Sequence, residues 1–71
     1  MKATVYTIED NYLGIPLMIE GEVITFEDEN CPEVIINEIS YGGNELELWP
    51  FSDRFMEHLK DRIYQQWAHE V

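Results

Sequence analysis

Glu33-Val34-Ile35-Ile36-Asn37-Glu38-Ile39-Ser40-Tyr41-Gly42-Gly43-Asn44-Glu45-Leu46-Glu47-Leu48 is the stretch on which the fold turns. Its first nine residues are rich in Val and Ile, the side chains that fit a pleated, half-buried surface. Strict alternation would place Ile35, Ile39 and Tyr41 on one side and Val34, Ile36, Glu38 and Ser40 on the other. Gly42-Gly43-Asn44 tolerates positive φ, and Glu45-Leu46-Glu47-Leu48 alternates again, so residues 33–49 are expected to form a β-hairpin closed by a turn of two or three residues. In that hairpin Leu46 and Leu48 face inward while Glu45 and Glu47 face water.

Downstream, Ser52 stands where an N-cap belongs, Asp53 follows in the first turn, and Phe51 and Met56 occupy the two positions of a hydrophobic staple. Phe55, Leu59, Ile63 and Trp67 recur every four residues, which predicts an amphipathic helix over about residues 53–68. Upstream, Thr4-Val5-Tyr6-Thr7-Ile8 reads as a strand ending in a turn at Glu9-Asp10-Asn11. Residues 16–26 read as a second strand interrupted by Gly21. The apolar positions Leu17 and Ile19, then Ile24 and Phe26, change phase across that Gly, so a bulge is expected there. After the charged loop Glu27-Asp28-Glu29-Asn30, Cys31-Pro32 forces an extended or turn conformation before the next strand.

An apolar helix stripe must pack on something, and its natural partner is one face of the sheet. The expected fold is therefore α+β: a three- to four-stranded antiparallel β-meander, strands about 4–8, 16–26, 33–41 and 45–49, with one C-terminal helix on one face. One domain, residues 1–71, accommodates all of it, and the other face of the sheet is left uncovered or meets a partner.

Composition narrows the function classes. With 71 residues, 45% apolar and 13% aromatic, the chain has enough material for one modest core. Fifteen Asp and Glu against four Lys and Arg give a net charge of −11. Anionic phosphate backbones and membrane surfaces need clustered cations, so direct binding to nucleic acid or membrane is not expected. The longest apolar run is Ile15 to Ile19, far short of the roughly 20 residues that cross a bilayer, and no export signal is expected. The single Cys31 has no disulfide partner within the chain, which fits a reducing, cytoplasmic location.

The charge is also unevenly placed. Twelve acids and one base, Lys2, lie in residues 1–53, whereas residues 54–71 balance Glu57, Asp61 and Glu70 against Arg54, Lys60 and Arg62. For a compact chain with a diameter of roughly 28 Å, eleven charges amount to about 0.4 per Å, two thirds of the 0.6 per Å of duplex DNA. Such a density admits mimicry of nucleic acid; it also serves simple solubility.

No catalytic set accompanies this charge. His58 and Asp61 share a helix face but lack a third metal ligand, and His69 lies about 16 Å further along the axis. Asp28 and Asn30 resemble the start of a calcium loop, but the closing Glu is missing, Ile39 standing in its place. Ser52 is explained as a cap, and no hydroxyl or thiol sits in a nucleophile motif. Carboxylate pairs such as Glu20/Glu22 and Glu45/Glu47 belong to solvated strand faces. The chain is read as non-enzymatic, with no cofactor and no metal.

Among the nine aromatics, Tyr12, Tyr41, Trp49 and Tyr64 are not explained by the strand and helix patterns. Tyr and Trp among acids are the composition of a protein-binding surface, where the ring anchors and the charge steers. The candidate partner-binding residues are accordingly Glu20, Glu22, Glu27, Asp28, Glu29, Tyr41, Glu45, Glu47 and Trp49. The alternative is a self-associating protein whose uncovered face or edge strand closes a homodimer through Val34, Ile36 and Trp49.

From Cys31-Pro32-Glu33 through the Gly42-Gly43 turn to the terminal helix, about half of the chain resembles small phage and prophage accessory proteins. These carry a Pro-Glu entry, a β-branched strand, a Gly turn and a terminal helix. The Leu48-Trp49-Pro50-Phe51 junction and the anionic first half depart from that pattern. The resemblance implies a context in which some members inhibit host enzymes or act as anti-defence factors.

Overall fold

The computed structural model describes residues 1–28, 31–48 and 50–70. Four antiparallel strands form one open sheet in the order β1-β2-β3-β4, with β1 Lys2–Tyr12, β2 Ile15–Thr25, β3 Glu33–Tyr41 and β4 Asn44–Leu46, followed by the helix α1 Asp53–Glu70. This is the α+β meander with one C-terminal helix that the sequence pattern leads to.

Several boundaries differ from the expectation. β1 does not end at Glu9-Asp10-Asn11 but continues to Tyr12, paired throughout with β2 from Lys2↔Thr25 to Tyr12↔Ile15. The turn is instead Leu13-Gly14, both residues at positive φ (52° and 83°), the type I′ geometry that fits the twist of a two-residue hairpin. Leu is a poor residue for this left-handed conformation, and its side chain is almost wholly exposed. β4 stops at Leu46; of the expected extension to residue 49, Trp49 lies outside the described residues. Gly42-Gly43 forms the two-residue turn as expected, with φ of 60° and 87°.

The register irregularity falls opposite Gly21, but the additional residue is on β3, not β2. Glu20 pairs with Glu38 and Gly21 with Ile36, leaving Asn37 as the inserted residue. β2 keeps an unbroken inward set, Leu17, Ile19, Gly21 and Val23, all buried. β3 changes phase at Asn37, so Val34 and Ile36 share the inward face with Ile39, while Ile35 turns outward with Glu38 and Ser40. Gly21 serves close approach: a Cβ there would lie 2.3 Å from Ile63 Cδ1 and 2.9 Å from the Ile35 carbonyl oxygen.

The core comprises Tyr6, Ile8, Leu17, Ile19, Val23, Ile36 and Ile39 from the sheet with Leu59 and Ile63 from α1. Ser52 Oγ accepts the Phe55 N–H at 3.1 Å, confirming the cap. Phe51 and Met56, the staple pair, both pack against the core. Tyr12 fits between Phe51 and Phe55, with ring centroids 5.0 and 4.5 Å away, and Tyr64 lies against Trp67 at 5.7 Å. At the far end of α1 the Tyr6 hydroxyl donates to Glu70 Oε2 at 2.9 Å. Burial first, and then the neighbouring carboxylate, raise the Tyr6 pKa above its ordinary value.

With a helix on one face only, the molecule is elongated, 38 × 20 × 18 Å. Its accessible surface of 5176 Å² exceeds the roughly 4,600 Å² expected for a compact chain of this mass.

Candidate functional site

The pairing registers establish which side chains share the face that α1 leaves uncovered. Inward positions are the even residues of β1 and the odd residues of β2, so the outer face takes the opposite parity. Four rows cross it: Ala3, Ile24 and Glu33; Val5, Glu22 and Ile35; Thr7, Glu20 and Glu38; and Glu9, Met18, Ser40 and Glu45. Six carboxylates thus stand on one face. Among the described residues it carries no base, because Lys2 has inward parity and Arg54, Lys60 and Arg62 belong to α1.

Glu20 and Glu38 are direct cross-strand partners. Like charges so placed cost a few tenths to about 1 kcal/mol relative to a neutral pair. Between them and Thr7, Met18 and Ser40 lies a shallow depression of about 260 Å³. Met18 and Val5, 41% and 56% exposed, add apolar area to an otherwise anionic surface.

The residues singled out from sequence do not all converge. Glu20, Glu22 and Glu45 meet on the outer face, joined by Glu9, Glu33 and Glu38, which alternation within single strands had not gathered. Glu27 and Asp28 lie in the turn after β2, and Glu47 follows β4. Glu29 and Trp49 lie outside the described residues. Tyr41 belongs to the opposite side: it lines an apolar groove of about 340 Å³ with Tyr12, Ile15, Leu17, Leu46 and Phe51, beyond the N-terminal end of α1. Val34 and Ile36, expected at a dimer interface on the uncovered face, point instead into the core because the bulge at Asn37 reverses them.

A second charged cluster lies on the helix side. Arg62 Nη1 donates to Asp10 Oδ2 at 2.9 Å and to the Glu9 carbonyl oxygen, His58 Nε2 lies 2.6 Å from Asp10 Oδ2, and the Asn11 N–H donates to Asp10 Oδ1 at 2.7 Å. His58 therefore meets Asp10 rather than Asp61, and among the described residues no group of three potential ligands could hold a metal ion. Partial burial pushes the Asp10 carboxyl up, but the Arg62 bond, the Asn11 amide and His58 together outweigh it, leaving its pKa below the ordinary value. Sequence separation hides this cluster. Its one signal is a pair of basic side chains, His58 and Arg62, four residues apart on one helix face, an arrangement that calls for a facing acid.

A carboxyl with a depressed folded-state pKa contributes stability above its unfolded pKa and loses it as pH falls through the folded value. Asp10→Asn is therefore expected to lower stability near neutral pH by about 1 kcal/mol, a loss kept small by solvent around the cluster. The same variant should flatten the decline below about pH 4. Urea midpoints at neutral and acid pH measure both effects; parallel profiles for the two proteins would mean that Asp10 is not the titrating group.

Among the described residues no helix is long and apolar enough to cross a membrane. Compared with family models, curated proteins and solved structures, the chain matches none.

Proposed function

We propose that this chain is a non-enzymatic acidic binding domain that engages a basic surface on a protein partner through the uncovered face of its sheet. The observation that carries it is the outer face: six carboxylates, no base among the described residues, and Glu20 directly opposite Glu38. Solubility alone is served by acids anywhere on the surface and does not require a like-charge pair that costs stability. Along the 38 Å long axis the eleven net charges amount to about 0.3 per Å, half the density of duplex DNA. The nucleic-acid mimic, in which the basic patch would be a nucleic-acid-binding site, is thus a weaker electrostatic match than a compact shape would give. An inhibitor or anti-defence role in the cytoplasm, of a host cell where the chain is phage-encoded, is the biological form that the family resemblance implies for such binding.

The test compares capture of proteins from a lysate at about 50 and 500 mM salt, conditions that span strong and weak screening. The wild type should retain a defined partner at low salt and release it at high salt, and Glu20→Gln/Glu38→Gln should retain less. Retention unaffected by salt and by the substitutions would overturn the proposal. A homodimer is the second reading, favoured by the open edge of β1. Light scattering decides it: a monomer at tens of micromolar removes it.

A further inference from the structure

The edge of β1 offers more than charge. Because the Leu13-Gly14 turn has two residues, Tyr12 and Ile15 are a hydrogen-bonded pair, and hydrogen-bonded pairs then alternate along the hairpin. Even residues of β1 bond to β2, so Ala3, Val5, Thr7, Glu9 and Asn11 turn their N–H and C=O groups toward the open edge. Arg62 corroborates this parity by donating to the Glu9 carbonyl oxygen. Its guanidinium closes the edge at Glu9, leaving Ala3 to Thr7 as the accessible segment, about 17 Å of strand.

We propose that this edge captures an extended segment of the partner as a fifth, antiparallel strand, with Lys or Arg at the alternate positions opposite Ala3, Val5 and Thr7. The inference rests on the binding function proposed above and specifies the partner's chemistry. In an antiparallel pair, residues opposite Val5 and Thr7 place their side chains on the outer face. There they stand two strand spacings, about 9.6 Å, from Glu22 and Glu20. Only the short side chains of Val5 and Thr7 intervene, so an extended Lys or Arg spans the gap to the carboxylates. Backbone bonds to the edge supply affinity, and the acids select the side chains. A second copy of β1 could pair its backbone with this edge but matches the face less well than a basic strand: its odd residues, Ala3, Val5, Thr7 and Glu9, bring no cation to that face and its chain adds a further net charge of −11.

The probe is an eight-residue peptide alternating Lys with Val and Thr, tested on the intact protein by titration. In the antiparallel arrangement the Lys residues direct their own N–H groups at β1, and the intervening residues direct theirs away. N-methylation of the Lys residues should weaken binding by at least about tenfold, whereas N-methylation of the Val and Thr residues, at identical charge, should leave it nearly unchanged. Glu20→Gln/Glu22→Gln should weaken the unmodified peptide and reduce its salt dependence. Equal binding of the two methylated peptides overturns the added strand while leaving salt-dependent partner capture intact, so the two proposals fail separately. Dimerisation of the peptide-free protein with protection of the Val5 and Thr7 amides would assign the edge to a second copy and also overturn it.

Discussion

Gly21→Ala is expected to destabilise the protein by about 2–3 kcal/mol, although Ala is ordinarily the better strand residue. The added methyl would be built 2.3 Å from Ile63 Cδ1 and 2.9 Å from the Ile35 carbonyl oxygen, with Ile36 Cδ1 at 3.5 Å. Ile63 and Ile36 are both buried, so neither side chain has free space to retreat into. Lower backbone entropy in the unfolded chain returns about 0.5–1 kcal/mol, too little to offset the overlap. Ile63→Val removes the offending Cδ1 at its own cost of about 0.5–1.5 kcal/mol. Combined with Gly21→Ala, it should give a double variant more stable than the sum of the two losses by about 1 kcal/mol. The rescue stays partial because the Ile35 carbonyl remains. Strictly additive losses in denaturant unfolding would show that α1 does not press on β2 at this point.

Leu59→Ala should cost more, about 2–5 kcal/mol, from lost burial and the cavity left behind. Leu59 is 0% exposed and, with Ile63, is one of two fully buried helix residues holding α1 to the sheet. A chain of 71 residues has total stability on the order of 4–10 kcal/mol, so this one truncation removes a large share of it. The expected result is a large drop in the denaturation midpoint and a substantial unfolded fraction at 37 °C. A loss below about 1 kcal/mol would mean that the helix contributes little to holding the sheet.

These two residues also mark how far the sequence carries. Leu59 and Ile63 are visible in the i, i+4 recurrence, and Ser52 and the Gly42-Gly43 turn have residue types that admit few other uses. Gly21 stands out in the sequence as a break in β2, whereas in the structure it provides close approach to Ile63 and the Ile35 carbonyl. Counted as an inward position it leaves the alternation of β2 unbroken, and the displaced residue is Asn37 on the neighbouring strand. A bulge reflects two strands at once, so one strand's pattern cannot say which of them carries it. The end of β1 failed for a different cause. Glu9-Asp10-Asn11 is polar because two of its side chains face water and the third is held by a helix 52 residues away, whereas the turn falls to Leu13, a residue ill suited to the conformation. For the site, alternation placed Glu20, Glu22 and Glu45 on strand faces, but only inter-strand register brings Glu9, Glu33 and Glu38 beside them. Composition alone groups Tyr41 with them, but it lies across the sheet in the apolar groove.

The separation of an acidic outer face from a helix layer that holds three of the four bases gives the molecule a permanent electric dipole directed across its short axis. A body so polarised is turned as well as drawn by the field of a cationic surface. Toward the basic partner proposed above, the helix side would rotate away and the strand side come to the front, shortening the angular search that limits most protein encounters before any contact forms.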